Sequence, residues 1–141
     1  MSNDLSRFET AQALVYPQAW RELQNGKKKS HWMWYIFPQI QGLGQSAMSV
    51  KYAINDLSEA HAYLNHPVLG LRLIKCCTLL LYFDDKTAVE IFGEIDALKL
   101  HSSLTLFSLV QDNQPIFDQL LQQFFAEKLD DKTVQLVQDN A

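Results

Sequence analysis

The chain has 141 residues, of which 48% are hydrophobic and 20% charged, with only five glycines and four prolines. This size and composition predict one compact domain over residues 1–141 and exclude a disordered tail or a fibre. The net charge of −4 is uneven: residues 1–51 carry six basic against three acidic side chains and residues 52–141 carry six against thirteen, so a bound anion is expected near the N-terminal third.

Helix signals begin at the start of the chain. From Asp4 to Leu23 apolar residues recur every three or four positions, with Pro17 inside the stretch and Gly26 after it. This spacing predicts either one kinked helix or two short ones. The next segment, residues 27–45, has no clear period, and we expect a loop, a short helix or a pair of short extended pieces there.

Several further helices are predicted from N-cap residues or prolines that precede apolar segments. Their expected positions are 47–53 after Ser46, 59–65 after Asp56 or Ser58, 68–82 after Pro67, 116–125 after Pro115, and a last helix after Asp130 or Asp131. The span 68–82 carries apolar side chains on almost every face. We therefore expect it to be the central buried helix.

The remaining helices lie between residues 87 and 108. Thr87 and Glu90 have the spacing of a capping box for a short helix that Gly93 closes. Asp96 is expected to cap the next helix. The inward positions predicted for that helix are Leu98, Leu100, Leu104, Leu106 and Phe107.

Together these signals predict an all-α fold, a compact bundle of about seven or eight short helices. The longest apolar run, Cys76 to Phe83, is too short to cross a bilayer, and the first ten residues lack a signal-peptide core, so we expect a cytoplasmic protein without membrane contact. Cys76 and Cys77 are adjacent in this run and are expected to be reduced core thiols. No Cys or His spacing predicts a metal site, and no cofactor is expected.

Residues 27–46 are the most unusual in composition. A lysine triplet at 27–29 comes directly before His31, Trp32 and Trp34. Ammonium groups neutralise phosphate and aromatic rings stack on bases, so this pattern is typical of a site for a nucleotide or another phosphate-bearing ligand. A simpler interpretation uses the same residues, because aromatic side chains commonly anchor a core and a lysine triplet is commonly a solvated turn.

Several motifs resemble those of one family. They are SHWMWYIFPQ at 30–39, GLG at 42–44, YA at 52–53, EAHAYLNHPVLG at 59–70 and KLHSSLTLF at 99–107. In this order, across residues 4–138, they resemble an uncharacterised, mostly bacterial family of small domain proteins, some of which carry the label calpastatin. The resemblance implies a multihelical fold and no established activity. The calpastatin label does not fit this chain, because inhibitors of that kind are disordered and this chain is built to pack.

The resemblance also draws attention to polar residues that recur in these motifs without an evident packing role. With the two tryptophans, the candidate ligand-binding residues are Lys29, Ser30, His31, Trp32, Trp34, Gln39, Asp96, Lys99, Ser102 and Ser103. On a helix Asp96, Lys99 and Ser103 share one face, which suits an anion or a sugar. The same residue types also suit a helix cap, a routine i,i+3 ion pair and hydroxyls bonded to carbonyls.

His31 is the best catalytic candidate, since an imidazole can act as acid, base or anion contact near neutral pH. Ser102 or Ser103 would be its nucleophilic partner. However, the chain has no G-x-S-x-G elbow and a helix is a poor place to expose an activated hydroxyl, so a structural hydrogen bond from His31 is the simpler expectation. Whether the protein is an enzyme stays open.

Two hypotheses of different classes follow. The first is a module for a small anionic ligand such as a nucleotide, bound between residues 29–39 and the helix over 96–105, with Trp32 or Trp34 as the stacking surface. The second is a protein–protein adaptor or homodimer that uses exposed aromatics of residues 32–37. Duplex nucleic acid ranks below both, because the chain is acidic overall and shows no recognition helix.

Overall fold

The computed structural model describes residues 4–140, and this part of the chain forms nine α-helices. They are α1 (Ser6–Gln24), α2 (Met33–Ile36), α3 (Ala47–Lys51), α4 (Leu57–Asn65), α5 (Leu69–Leu80), α6 (Ala88–Phe92), α7 (Glu94–Ser108), α8 (Ile116–Phe125) and α9 (Asp131–Asp139). The β-pairing in these residues is limited to one isolated parallel bridge between Ile40 and Ile54. The predicted all-α fold is confirmed. The additional helix is α2, a single turn in the segment without a clear period.

Side-chain caps decide where the short helices begin. Ser46 Oγ accepts a hydrogen bond from the backbone N–H three residues on at 3.1 Å, and Asp56 Oδ1 does the same at 2.8 Å. Thr87 and Glu90 form the predicted capping box, with donor–acceptor distances of 3.0 and 2.8 Å. Each cap satisfies N–H groups that have no partner within the helix.

The first helix, α1, is one continuous helix that contains Pro17. Two polar side chains, Gln12 and Glu22, lie on its buried face, with 1% and 4% of their surface exposed. Gln12 Nε2 donates to the Tyr63 hydroxyl at 2.9 Å and to the Tyr35 carbonyl at 2.8 Å. These bonds connect α1 to α4 and α2, so polar contacts as well as apolar packing fix how the helices meet.

The prediction that the helix around residues 68–82 is central is wrong, because α7 takes that place. α5 leaves Leu71 54% exposed, whereas α7 buries residues 102–107 without a break and packs against α4, α6, α8 and α9. Two predicted details of α7 are also wrong: its N-cap is Gly93 instead of Asp96, and Leu98 is 69% exposed. Because α7 follows α6 with no intervening loop, Asp96 falls in its first turn.

The aromatic segment belongs mainly to the core. Four side chains of residues 32–37 are at most 1% exposed: Trp32, Met33, Ile36 and Phe37. The Trp32 ring packs against Phe37 and Phe92, with ring centroids 6.3 and 6.4 Å apart. The predicted adaptor surface of exposed aromatics over 32–37 is therefore not formed.

Cys76 and Cys77 are free, buried thiols in α5, as predicted. Burial raises the pKa of Cys76 to about 12, because the thiolate would lose its hydration. Both thiols therefore act as small apolar side chains at neutral pH.

No single helix within residues 4–140 is long and apolar enough to cross a membrane. The pair formed by residues 57–65 and 69–81 reaches the necessary hydropathy only jointly, and it is bent by 85°. The same residues contain no group of three His, Cys, Asp or Glu side chains placed to hold a metal ion.

Candidate functional site

A cleft opens between the segment around α2 and the first turn of α7. It consists of two adjoining cavities of about 560 and 210 Å³, which share Trp34, Ile95 and Lys99. The larger, here called the charged cavity, is also lined by Lys28, His31, Glu94 and Asp96. The smaller, here called the neutral cavity, is also lined by Gln39, Ile40, Leu43, Ser49, Tyr52 and Leu98.

The loop that precedes α2 is held by the carboxylate of Glu22. It accepts hydrogen bonds from the backbone N–H groups of Lys29 and Ser30 at 2.7 and 2.9 Å and from the Ser30 hydroxyl at 2.5 Å. The Trp32 indole and the Gln18 amide donate to it at 2.9 and 2.7 Å. One buried side chain of α1 thus sets the path of residues 29–32.

Glu22 is ionised although it is buried. Burial by itself would raise its pKa, but hydrogen bonds from Ser30, Lys29 and Gln18 outweigh that effect and lower the pKa to about 2. No lysine, arginine or histidine within residues 4–140 forms an ion pair with it. Neutral donors of the loop therefore replace the counter-ion.

Two lysines share one carboxylate in the charged cavity. Lys28 Nζ lies 2.7 Å from Asp96 Oδ2, and Lys99 Nζ lies 3.4 Å from Asp96 Oδ1. The Lys28 side chain is only 7% exposed, because its ammonium also donates to the Ser30 carbonyl and lies over the Trp32 ring. The interpretation of the lysine triplet as a solvated turn is therefore wrong for Lys28.

Trp34 lies where the two cavities join. Lys99 Nζ is 4.6 Å from the centroid of its ring, a cation–π distance. The indole Nε1 is buried and has no hydrogen-bond partner within residues 4–140. A buried N–H without a partner costs about 1–3 kcal/mol, so this side of the indole is a weak point in the packing beside the cleft.

Gly93 connects α6 to α7 and opens the floor of the charged cavity. Its φ of +82° lies in the region that favours glycine. A Cβ at this position would meet no atom of the described residues within 4 Å, and no side chain caps α7. The space beside Gly93 is therefore open, and the first turn of this 15-residue helix has N–H groups without a side-chain cap.

A family model described as "Protein of unknown function (DUF1810)" matches residues 2–137. The chain belongs to the DUF1810 family. It is similar to the crystal structure of a conserved hypothetical protein from Mycobacterium tuberculosis, with a TM-score of 0.93 and 45% identity over 96% of each chain. No curated protein matches this chain in sequence. The predicted resemblance to an uncharacterised family of helical proteins is confirmed.

Five of the candidate residues line the cleft of this DUF1810 chain: His31, Trp34, Gln39, Asp96 and Lys99. Lys29 and Ser30 instead hold the loop through their bonds to Glu22. Trp32 is 1% exposed and offers no face to a ligand, which excludes it as the stacking surface and leaves Trp34.

Ser102 and Ser103 lie outside the cleft. Ser102 Oγ donates to Asp130 Oδ2 at 2.8 Å, and Ser103 is 1% exposed. Ser103 shares a helix face with Asp96, but seven residues displace it by about 10 Å along the axis. That displacement moves it from the open first turn of α7 into the packed centre.

His31 is exposed at the edge of the charged cavity. No hydrogen bond within residues 4–140 involves its imidazole, so the expected structural bond is absent there. Because the two predicted serines lie elsewhere, the cleft does not assemble the His–Ser pair. His31 stays the imidazole that a bound ligand would meet.

Sequence reasoning missed Glu22 and Gly93 as parts of the site, and it did not distinguish Lys28 from the other two lysines of the triplet. A signal existed for Glu22, because it interrupts the three- and four-residue apolar period of α1 next to Leu23. An acidic residue on a buried face needs donors. The sequence does not say where those donors are.

Proposed function

We propose that this protein binds a small anionic ligand, a phosphate-containing metabolite, in the charged cavity. The observation that carries the proposal is the convergence of Lys28 and Lys99 on the single carboxylate of Asp96. Two ammonium groups thus share one carboxylate, although Glu94 of the same cavity balances their excess charge. A phosphate oxygen therefore has an ammonium partner in the cleft.

Lys99 is the partner best placed to move. Its distance to Asp96 is long at 3.4 Å and its side chain is 23% exposed, whereas Lys28 is 7% exposed and held by several contacts. The open first turn of α7 supports the same ligand, because its N–H groups and the helix dipole favour a negative charge. Glu94 at the cavity edge opposes it, so hydrogen bonds and not net charge must hold the anion.

Lys99→Met tests this proposal, since it removes the ammonium and keeps most of the side-chain stem. In a thermal-shift screen and calorimetric titrations with inorganic phosphate, pyrophosphate, ribose 5-phosphate and nucleoside monophosphates, the wild-type protein should respond to at least one compound. A ligand at 100 times its Kd stabilises by about 2.7 kcal/mol. Lys99→Met should weaken that binding about tenfold or more, because one charge-assisted hydrogen bond is lost.

The matched control is Lys75→Met, which removes an exposed lysine on α5. It should bind like the wild type. The unliganded melting temperature of Lys99→Met should stay within about 3 °C of the wild type, because a partly exposed ion pair contributes about 0–1 kcal/mol. No response to any compound, or equal affinity in Lys99→Met, contradicts the proposal.

A second function, the protein–protein adaptor or homodimer, has a different basis from the one predicted. Ile95 and Leu98 are 72% and 69% exposed on α7, at the edge of the neutral cavity. We propose this function second, because two aliphatic side chains make a small apolar surface. A concentration-independent monomer in solution scattering, unchanged by Ile95→Glu, would count against the homodimer.

A further inference from the structure

We infer that the neutral cavity receives an uncharged heteroaromatic ring of the same ligand, and that the Gln39 amide reads the edge of this ring. The inference rests on the proposed function and deepens it. It names the chemical class of the ligand: an anionic group joined to a flat, hydrogen-bonding ring, as in a nucleotide.

The two cavities separate charged from uncharged surroundings. Lys28, Glu94 and Asp96 line only the charged cavity. The neutral cavity has Lys99 as its one charged lining residue in the described part of the chain, at the border that the cavities share. A ligand that fills both cavities therefore has one charged end and one neutral end.

The size and walls of the neutral cavity suit a ring. Its volume of about 210 Å³ is less than half of the 560 Å³ of the charged cavity, so the neutral cavity suits the smaller, uncharged part of a ligand. Ile40, Leu43 and Leu98 form apolar walls, and Trp34 adds an aromatic one. Flat rings stack favourably on such an indole.

Lys99 couples the two cavities. Its ammonium lies over the Trp34 ring, 4.6 Å from the ring centroid and 3.4 Å from Asp96 Oδ1. A ligand ring that stacks on the indole would take this position. The displaced ammonium can then pair with the phosphate of the same ligand. Movement of Lys99 would thus both free the Trp34 ring for stacking and supply the charge partner.

The polar groups of the neutral cavity favour a heteroaromatic ring over a phenyl or alkyl group. The Gln39 side chain is half-buried and makes no hydrogen bond within residues 4–140. An amide presents a donor beside an acceptor, the combination that pairs with base edges. A hydrocarbon in the cavity would cover this amide without pairing with it.

The backbone holds Gln39 in place. Its carbonyl accepts a hydrogen bond from Ile54 N at 2.8 Å, and Gln41 N donates to Ile54 O at 2.8 Å. These bonds form the parallel bridge beside Ile40. The amide is thus attached to a fixed backbone, which is what discrimination between similar rings requires.

The test is calorimetric titration of the full chain and of Gln39→Met with AMP, GMP, CMP, UMP and ribose 5-phosphate. At least one nucleoside monophosphate should bind the wild type about tenfold more tightly than ribose 5-phosphate. Gln39→Met should reduce the preference among bases at least about fivefold and leave the affinity for ribose 5-phosphate within about twofold. Gln41→Met, an exposed position two residues on, is the matched control and should keep the preference.

The outcomes separate the two proposals. If all five compounds bind the wild type equally well, or if Gln39→Met keeps the base preference, the inference is overturned while the anion site stands. If none of the five compounds binds at about 10 mM, a concentration at which millimolar affinities are visible, the inference is overturned. If inorganic phosphate and pyrophosphate also fail to bind, the proposed function is overturned with it.

Discussion

Gly70→Ala is expected to lower the free energy of unfolding by about 3 kcal/mol or more. Gly70 is the second residue of α5, and a Cβ at this position would lie 1.9 Å from the Leu64 carbonyl oxygen and 2.7 Å from its carbon. Both atoms belong to the backbone near the end of α4, so the clash can be relieved only if α4 and α5 move apart. Where alanine fits in a helix it stabilises relative to glycine, so the expected sign is opposite to the helix-propensity effect.

Gly44→Ala is the milder comparison. Its Cβ would lie 2.6 Å from Ser49 Oγ and 2.8 Å from Ser49 Cβ, so rotation of the serine is not enough and the backbone must shift. Because residues 44–47 are exposed and this shift does not require two packed helices to separate, the loss should be about 1 kcal/mol and smaller than that of Gly70→Ala. Urea denaturation followed by circular dichroism measures both variants. Equal stability of the two would show that the α4–α5 corner is looser than the structure has it.

Glu22→Gln is expected to lower the free energy of unfolding by about 3 kcal/mol at neutral pH. The pKa of Glu22 falls from 4.5 to about 2 on folding, because hydrogen bonds to its carboxylate outweigh the effect of burial; that difference corresponds to about 3 kcal/mol. The variant replaces one acceptor oxygen by an NH₂ group among N–H and O–H donors. Chemical denaturation at pH 7 measures the loss.

The pH dependence gives the same prediction a second, independent readout. Because the folded pKa is depressed, the contribution of Glu22 is fully present above about pH 4.5 and is lost as the pH falls towards about 2. The gap in unfolding free energy between wild type and Glu22→Gln should therefore close over this range. The exposed control Glu127→Gln also removes one carboxylate charge, and at pH 7 its unfolding free energy should stay within about 0.5 kcal/mol of the wild type. A difference in unfolding free energy between wild type and Glu22→Gln that stays constant down to pH 2 would contradict the prediction that the buried Glu22 carboxyl is ionised.

Glu22 also connects stability to the candidate site. Its carboxylate binds the backbone of residues 29 and 30, and Lys28 and His31 flank that stretch. The charged cavity thus depends on a residue that does not line it. In this role Glu22 is a positioning residue.

The sequence predicted the elements whose signals are local. Ser46, Asp56 and Thr87 cap helices where they were expected, since a cap bonds to an N–H three residues away. The free, buried thiols were predicted for the same reason, because they lie inside one continuous apolar run. Composition also identified residues 29–39 and the start of the predicted 96–105 helix as parts of the cleft, but not the lining residues between 40 and 53.

Only the tertiary structure decided which members of those segments face the cleft. Trp32 and Trp34 are two residues apart and alike in type, yet one is in the core and the other lines both cavities. The Lys28 side chain is only 7% exposed while Lys27 and Lys29 are exposed, because Asp96 reaches it from α7.

The sequence by itself therefore determined the fold class, most helix starts and the segments of the candidate site. The assembled structure decided the central position of α7, the burial of Ser102 and Ser103, and the bonds of Glu22. The physical reason is the separation along the chain over which each interaction acts. Caps and apolar periods act over three or four residues, whereas the burial of a polar side chain depends on which distant groups the packing of the helices brings to it.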